Sequence, residues 1–230
     1  MFSRSARLYD AIYSFKDYPA EAERLHELVE TRVPAARTLL DVACGTGAHL
    51  AELRRWYEVE GVDLDPGLLE VARERLPGVP LHEGDMVDFD LGREFDVVTC
   101  LFSSIGYVRT RDGLMRATAS LSRHVAPSGV LVVEPWLEPG VWEAGRIGSV
   151  FVDEPDLKVA RMNVGGSAEA MEMHYLVGTP DHVEHFTERH ELGVFSREEH
   201  IEAFRTAGLT VEHDPDGLMS RGLYIGTRGT

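Results

Sequence analysis

Three short apolar segments in the first half of the chain each end in a turn that contains glycine or aspartate. Residues 38–43 lead into the turn Cys44-Gly45-Thr46-Gly47, residues 58–62 lead into Asp63, and residues 79–83 lead into Gly84-Asp85-Met86. A glycine turn between a buried strand and a helix start exposes backbone N–H groups and lets a ligand approach the main chain closely. One such turn is weak evidence, so its neighbours decide what ligand it could hold.

The spacing of these turns predicts a site for one adenosine. Asp63 lies 18 residues after Gly45, the spacing at which a carboxylate can accept hydrogen bonds from both ribose hydroxyls. Asp85 could accept a hydrogen bond from an adenine amino group, and Met86 could pack on the ring. A dinucleotide fingerprint needs a third small residue where this chain has Leu50, which argues against a dehydrogenase.

The elements that must position these turns follow a strand, turn and helix cycle. Apolar runs at 38–43, 58–63, 79–85, 95–102 and 129–136 alternate with helical patterns at 48–56, 66–76 and 111–125, after an opening helix over 20–33. This alternation predicts five parallel strands covered by helices on both faces. A final helix with a capping-box serine, Ser196, precedes two last strands at 209–213 and 222–227.

Between about residues 149 and 195 the helical periodicity gives way to alternation. Met171, Met173, Tyr175 and Val177 fall on one face, and Glu172 and His174 fall on the other, as in an antiparallel strand. We therefore predict one α/β domain over residues 1–230 with a Rossmann-like, mostly parallel sheet and an antiparallel β insertion at about 149–195.

Composition excludes several classes of function. The formal charge of the 230-residue chain is −16, which disfavours nucleic acid as a partner. Two cysteines cannot build a disulfide framework, and no apolar stretch is long enough to cross a membrane. The histidines lack the helical spacing of a zinc motif, so no metal site is predicted. We expect a cytoplasmic protein, with Cys44 in its core and Glu21, Glu23 and Glu27 on a solvated helix face.

The motifs DVACGTG, GVDLD, GDM and the turn after FDVVTC resemble those of class I S-adenosylmethionine (SAM)-dependent methyltransferases over about residues 38–136. The resemblance implies a seven-stranded sheet with an antiparallel last strand, and SAM as the cofactor across the carboxyl ends of the strands. The cofactor-binding residues that it implies are Ala43, Gly45 and Gly47 near the methionine part, Asp63 on the ribose, Asp85 and Met86 on the adenine, and Leu101 closing the adenosine pocket.

A narrower resemblance covers nearly the whole chain. The segments YDAIY, KDY, FSSIGY, VVEPW, MEMHYLV and SRGLYIG are similar to those of dTDP-3-amino-sugar N,N-dimethyltransferases. By that resemblance Tyr18 contacts SAM, Tyr13 and Tyr107 border the acceptor amine, His174 faces the acceptor, and Arg221 holds the nucleotide phosphates. It also implies a homodimer.

The residues themselves offer further acceptor contacts. An antiparallel last strand would begin at the cofactor edge of the sheet, bringing Ser220 and Arg221 to the crevice, where a guanidinium suits a diphosphate. Arg161 is a second candidate for that anion. Glu134 and Trp136, at the end of the fifth predicted strand, are further candidates: Glu134 could accept the amine's proton or fix its lone pair, and Trp136 could contact the substrate. Two plainer interpretations stay open: Arg221 could pair with Asp214 or Asp216 at the surface, and Tyr13 could simply pack on the core.

The hypothesis is a SAM-dependent N-methyltransferase that methylates the amino group, at position 3, of a nucleotide-linked sugar twice. Methyl transfer from a sulfonium mainly requires alignment with a neutral amine, so the tyrosines are interpreted as orienting groups rather than strong bases. One alternative is a methyltransferase for another small-molecule amine or a hydroxyl. The other is a non-catalytic SAM-binding protein.

Overall fold

Two β-sheets organise the chain in a computed structural model that describes residues 5–143, 145–167 and 169–229. The central sheet has seven strands and the second sheet has four. The strands in chain order are β1 (Thr38–Val42), β2 (Glu58–Asp63), β3 (Leu81–Glu83), β4 (Phe95–Cys100), β5 (Val125–Val133), β6 (Ile147–Glu154), β7 (Leu157–Val164), β8 (Ala170–Gly178), β9 (Val183–Glu191), β10 (Leu209–Asp214) and β11 (Leu223–Arg228).

The central sheet has the strand order β10-β11-β5-β4-β1-β2-β3. Strands β1 to β5 run parallel, and β11 runs antiparallel to both β5 and β10. The predicted seven-stranded Rossmann-like sheet with an antiparallel last strand is therefore confirmed. The order places the carboxyl ends of β1, β2, β4 and β5 side by side, where parallel sheets bind their ligands.

Helices cover both faces of this sheet. They are α1 (Tyr9–Ile12), α2 (Tyr18–Glu30), α3 (Ala48–Leu53), α4 (Pro66–Arg75), α5 (Arg111–Arg123) and α6 (Arg197–Thr206), with 3₁₀ turns at Ala6–Leu8 and Ser104–Val108. Apolar residues of α2, α3 and α4 pack on one face and those of α5 and α6 pack on the other. The predicted capping box at Ser196 is present, with Glu199 as its partner.

The second sheet is antiparallel in the order β6-β7-β8-β9 and begins and ends near the predicted bounds of the insertion. Its inner face buries Met171, Met173, Tyr175 and Val177 against Ile12 of α1. The alternation predicted from the sequence is therefore confirmed. The sheet lies across the ligand-binding edge of the central sheet and closes one side of it.

Two sequence expectations differ from the structure. Strand β5 begins at Val125, before the predicted glycine, because Val125 already pairs with Phe95 of β4, ahead of an irregularity in the register. The expectation that Glu21 is solvated is wrong: this side chain is only 7% exposed, and its Oε2 accepts hydrogen bonds from Lys16 Nζ and His49 Nε2, each at 2.8 Å. Among the described helices none is long and apolar enough to cross a membrane.

Candidate active site

A cavity of about 1190 Å³ lies between the carboxyl edge of the central sheet and the inner face of the second sheet. Segments far apart in the sequence meet there, because parallel strands end at the same edge. The predicted site residues that line the cavity are Tyr13, Ala43, Gly45, Asp63, Asp85, Met86, Tyr107, Trp136, Arg161 and Arg221. The predicted residues outside its lining are Tyr18, Gly47, Leu101, Glu134, His174 and Ser220.

The turn after β1 needs glycine for two reasons. Gly45 and Gly47 have φ angles of +57° and +73°, and a Cβ on Gly47 would lie 2.7 Å from Leu76 Cδ1. Ala43 also has a left-handed backbone, with φ of 61°. The chain therefore turns sharply from β1 into α3, and the backbone at Ala43 and Gly45 is open to the cavity.

Asp63 ends β2 beside this turn and is almost fully buried. Its Oδ2 accepts the Gly45 N–H at 2.7 Å, and its Oδ1 accepts the Asp65 N–H at 2.8 Å. Burial raises the pKa of the Asp63 carboxyl, while the backbone hydrogen bonds oppose that rise. A carboxylate has about four lone-pair positions, so two backbone bonds leave acceptor capacity for ribose hydroxyls. The site suits the adenosine part of SAM.

The N-terminal segment is fastened across the glycine turn. Thr46 Oγ1 donates to Asp10 at 2.7 Å, Arg75 pairs with Asp10, and Arg75 also donates to the Thr46 carbonyl at 2.6 Å. These bonds hold α1 at the mouth of the cavity. Tyr18 lies outside the cavity lining. Its ring packs edge-on against the His49 ring, with 4.8 Å between the centroids.

The loop after β4 uses left-handed backbone at two residues that are not glycine, Phe102 and Ser103, with φ of 51° and 64°. The Phe102 N–H donates to Glu134 Oε2 at 2.7 Å, and Ser103 Oγ donates to the Pro135 carbonyl at 2.8 Å. These bonds turn Phe102 toward the cavity, whereas Leu101 packs in the core. Glu134 is fully buried, and burial raises the pKa of its carboxyl. Its bond to the Phe102 N–H holds this loop in place.

Arg221 reaches the cavity from the turn before β11. Its Nη1 donates to Ser103 Oγ at 2.7 Å, and the guanidinium carbon lies 5.5 Å from the Phe102 ring centroid and 5.3 Å from that of Trp136. The alternative partner Asp214 is paired instead with Arg24 at 3.3 Å. The guanidinium is thus held at the cavity wall between two aromatic rings, while the neighbouring Ser220 is exposed to solvent.

The far end of the cavity carries the two tyrosines expected at the acceptor. The Tyr13 hydroxyl accepts a hydrogen bond from Arg161 Nη1 at 3.0 Å, and the Tyr107 hydroxyl lies 2.9 Å from His190 Nδ1. His174 is on the outer face of β8, 3.2 Å from Glu172, and does not reach this end. The structure thus brings together both tyrosines and Arg161.

Phe102 and His190 are among the residues lining this cavity that sequence reasoning missed. The alternation along β9 could have found His190, because it shares the inner face with Phe186 and Glu188. No pattern in the sequence announces the left-handed backbone that turns Phe102 inward. Within the described ranges no group of three or more His, Cys, Asp or Glu side chains is arranged to hold a metal ion.

The parallel sheet, the glycine turn and the carboxylate at the end of β2 define a class I SAM-dependent methyltransferase. In agreement, a methyltransferase-domain family model matches residues 39–129. Two curated relatives match along almost the whole chain. One is the dTDP-4-amino-2,3,4,6-tetradeoxy-D-glucose N,N-dimethyltransferase of Saccharopolyspora spinosa, 41% identical over 97% of this chain and 92% of its own. The other is the dTDP-3-amino-3,6-dideoxy-alpha-D-glucopyranose N,N-dimethyltransferase of Streptomyces fradiae, 43% identical over 97% and 91%.

A solved structure agrees with this assignment. The SAM-bound amino pentose methyltransferase CalS10 of Micromonospora echinaspora superposes with a TM-score of 0.87 at 40% identity, covering 96% of each chain. This chain belongs to the family of dTDP-amino-sugar N,N-dimethyltransferases, and its cofactor is SAM.

Proposed function

We propose that this enzyme transfers two methyl groups to the amino group of a dTDP-linked amino sugar, with the amine at position 3 of the sugar. The observation that carries the proposal is Arg221, whose guanidinium lines the cavity between Phe102 and Trp136. In a chain of net charge −16, an anionic substrate needs a local positive site, and a guanidinium suits a diphosphate. Arg161 adds a second positive charge to the same cavity.

The cofactor would lie over the glycine turn. Ala43 and Gly45 would border its methionine part, Asp63 would accept the ribose hydroxyls, and Asp85 and Met86 would contact the adenine. SAM supplies a methyl group on a sulfonium, which is an activated leaving group. The protein then has to hold a neutral amine in line with that methyl, and orientation alone can lower a barrier by roughly 7–11 kcal/mol in favourable cases.

Tyr13 and Tyr107 are the groups we assign to the acceptor nitrogen. Both line the cavity, and both hydroxyls are held by partners on the second sheet, Arg161 and His190 respectively. A hydroxyl with a fixed partner can orient an amine without rearranging during the reaction. Trp136 would pack against the sugar or the nucleotide beside Arg221. Glu134 supports the loop that carries Phe102 and is not assigned a direct contact.

Titration calorimetry tests the nucleotide part of this proposal. The SAH-saturated protein is titrated with dTDP, and Arg221→Ala is compared with wild type and with Arg24→Ala, which removes an equal charge from the surface pair with Asp214. We expect dTDP affinity to fall roughly tenfold or more in Arg221→Ala only, because a charge-assisted hydrogen bond contributes about 1.5–3 kcal/mol. Absence of dTDP binding to the wild type, with SAH affinity intact, contradicts the choice of substrate.

Turnover assays test which amino group of the sugar the enzyme methylates. The curated relatives act, by their names, on amines at positions 4 and 3, so dTDP-sugars of both kinds are incubated with SAM and analysed by mass spectrometry. We expect the 3-amino sugar to gain two methyl groups and to be the better substrate. Preference for the 4-amino sugar would reverse the assignment of position. SAM binding without turnover of any amine would indicate a non-catalytic protein.

We also propose a homodimer formed by the outer face of the second sheet. Large apolar side chains lie exposed there, among them Ile147, Phe151 and Val164. The strand register puts them on one face, and residues of both charge signs, such as Asp153 and Lys158, surround them. An isologous interface pairs the same patch of both subunits, so a patch that carries both charge signs can complement its own copy. Light scattering should give twice the 25.6 kDa chain mass, reduced to one chain by Phe151→Glu. A monomeric wild type contradicts this proposal.

A further inference from the structure

Tyr107 and His190 are joined across the acceptor end of the cavity. Tyr107 lies in the 3₁₀ turn Ser104–Val108, His190 lies near the end of β9, and the Tyr107 hydroxyl oxygen is 2.9 Å from His190 Nδ1. A backbone hydrogen bond of 2.6 Å from the Gly193 N–H to the Gly106 carbonyl ties the two segments together next to this pair. The main chain therefore fixes the contact, and both side chains line the cavity.

The buried carboxylate of Glu188 lies near Nε2 of His190, the ring nitrogen that does not contact Tyr107. Glu188 Oε2 is 3.9 Å from His190 Nε2, and the same carboxylate accepts the Ser5 N–H at 3.2 Å and the Ser5 hydroxyl at 2.6 Å. A carboxylate facing Nε2 favours the tautomer with hydrogen on that nitrogen. His190 Nδ1 then carries a lone pair, and the Tyr107 O–H donates to it. The hydrogen-bond direction therefore runs from the cavity, through Tyr107, to His190.

Double methylation requires that a proton be removed from the acceptor nitrogen between the two transfers. When an amine attacks the methyl group, the product nitrogen is a protonated secondary ammonium with no lone pair. It cannot accept a second methyl until one N–H bond breaks. A proton acceptor that is connected to the acceptor site and separate from the amine would allow both transfers to proceed at neutral pH.

We propose that Tyr107 and His190 carry this proton away from the acceptor nitrogen, an inference that rests on the proposed N,N-dimethylation. The ammonium N–H bond breaks as the Tyr107 oxygen gains a hydrogen, and the original Tyr107 O–H bond breaks as His190 Nδ1 gains one. The positive charge moves from the ammonium to the imidazole, and Tyr107 is neutral before and after. Glu188 is a positioning residue that holds the tautomer of His190 and stabilises the imidazolium. Release of the proton to solvent resets the pair.

The electrostatic surroundings agree with a concerted transfer. Burial raises the pKa of Tyr107 far above its usual range, so a free tyrosinate is disfavoured. Burial lowers the pKa of His190 while Glu188 opposes that shift, so the resting imidazole is neutral at pH 7 and its Nδ1 is available as an acceptor. The titratable and charged groups around the pair include Glu188 on the same strand, Arg161 on β7, Tyr175 on β8, Tyr13 after α1 and Asp63 at the end of β2. The positive charge of Arg161 disfavours the imidazolium, which favours the release of the proton that resets the pair.

His190→Gln is the decisive variant, because a glutamine amide can accept the Tyr107 hydrogen bond but cannot take up a proton. We expect kcat at pH 7 to fall roughly 10- to 100-fold, within the range for proton-transfer catalysis. The monomethylated sugar should accumulate, and activity should recover as the pH rises toward the ionisation of the amine itself. KM and SAH affinity should stay near the wild-type values. His185→Gln, on the exposed face of the same strand, is the matched control.

Two results of the turnover assay would each overturn the proposal: a wild-type ratio of mono- to dimethylated product in His190→Gln, or an unchanged pH profile. Tyr107→Phe should produce the same shift in both readouts, and the double variant should be no worse than either single variant. Nitrogen-15 NMR of the histidines tests the pair without turnover, since the proposal requires His190 to be neutral with hydrogen on Nε2. A hydrogen on Nδ1 contradicts it even if the wild type methylates the sugar. A wild type that methylates no amino sugar contradicts the proposed function instead.

Discussion

Arg161 Nη1 donates a hydrogen bond of 3.0 Å to the hydroxyl oxygen of Tyr13, and its guanidinium carbon lies 5.1 Å from the centroid of the same ring. Arg161 belongs to β7 of the inserted sheet, and Tyr13 is the C-cap residue of α1. The contact therefore links the second sheet to the segment that covers the glycine turn. One guanidinium donor is thus used by a tyrosine, and the remaining donors stay available for the second phosphate contact that the sequence suggested.

Removing the Tyr13 hydroxyl or the Arg161 guanidinium should lower kcat, while the affinity for the cofactor should change less. We expect Tyr13→Phe and Arg161→Met each to reduce kcat, and their effects to be non-additive by roughly 0.5–3 kcal/mol, as for other residues in direct contact. The measurement is a double-mutant cycle on kcat, with SAH affinity followed in parallel. Lys158→Met, an exposed change on the same strand, is the control. Additive effects would mean that Arg161 acts on the substrate independently of Tyr13.

Cofactor affinity should depend on the charge of Asp63. Asp63→Asn keeps the size of the side chain and one carbonyl oxygen, but it replaces a charged acceptor of ribose hydrogen bonds with a neutral one. Because hydrogen bonds to charged groups contribute about 1.5–3 kcal/mol, SAH affinity should fall roughly 10- to 100-fold in calorimetry. Thermal unfolding without ligand controls for lost structure, since Gly45 and Asp65 also donate to this carboxylate. Unchanged affinity would remove Asp63 from the cofactor site.

Asp41 should make stability depend on pH. It is buried in β1 and accepts a hydrogen bond from Thr99 Oγ1 at 2.7 Å, and burial raises its pKa to about 6. The unfolded carboxyl ionises near pH 4, so raising the pH from about 4 to 6 stabilises the unfolded state and lowers the free energy of unfolding. The total is about 3 kcal/mol. Asp41→Asn keeps the acceptor for Thr99 and should lack this fall, becoming the more stable protein above pH 6.

Urea denaturation from pH 4 to 7 measures the effect. Asp96 provides a control of opposite sign: burial raises its pKa, but hydrogen bonds from Arg37 and Thr38 outweigh burial and lower it. The folded Asp96 carboxyl ionises at a lower pH than the unfolded one, which ionises near pH 4. In a scan extended down to pH 3, Asp96→Asn should therefore lose stability relative to wild type as the pH rises toward about 4, and should keep a constant difference from wild type at higher pH. An Asp41→Asn protein whose stability keeps a constant difference from wild type over this range would show that Asp41 does not titrate there.

The fold could be predicted from the sequence because its determinants are local. The apolar runs of β1, β4 and β5, the helical spacing between them and the capping box at Ser196 each involve residues that are close in the chain. The same holds for the alternation of Met171, Met173 and Tyr175. The meeting of Gly45, Asp63 and Asp85 in one cavity could be predicted for the same reason, because the parallel topology itself brings them together.

The side-chain contacts at the acceptor end of the cavity could not be predicted from the sequence in the same way. The pairs Tyr13–Arg161 and Tyr107–His190 join residues 148 and 83 positions apart, and their contacts depend on how the inserted sheet docks. Leu101 was expected at the pocket, but the left-handed backbone of the next residues turns Phe102 inward instead. That conformation is held by hydrogen bonds to Glu134 and Pro135, which follow β5 and lie about 32 positions further along the chain, so no local pattern could indicate it.

The buried cluster around Glu21 gives the last prediction. The Lys16 and Glu21 side chains are 0% and 7% exposed, and Lys16 Nζ lies 4.0 Å from the Phe102 ring centroid. Burial lowers the pKa of Lys16, and the bond to Glu21 opposes this. Glu21→Leu would leave a buried ammonium without its carboxylate, a loss that typically costs about 3–5 kcal/mol of stability.

Adding Lys16→Met to Glu21→Leu should restore part of that stability, because the uncompensated charge is removed and an apolar chain of similar length fills its place. Chemical denaturation of the two single variants and the double variant measures the difference. Glu23→Leu, on the exposed side of the same helix, should change stability by less than about 0.5 kcal/mol. If the double variant is less stable than Glu21→Leu alone, the cluster contributes through the packing of Lys16 against Phe102 rather than through the ion pair.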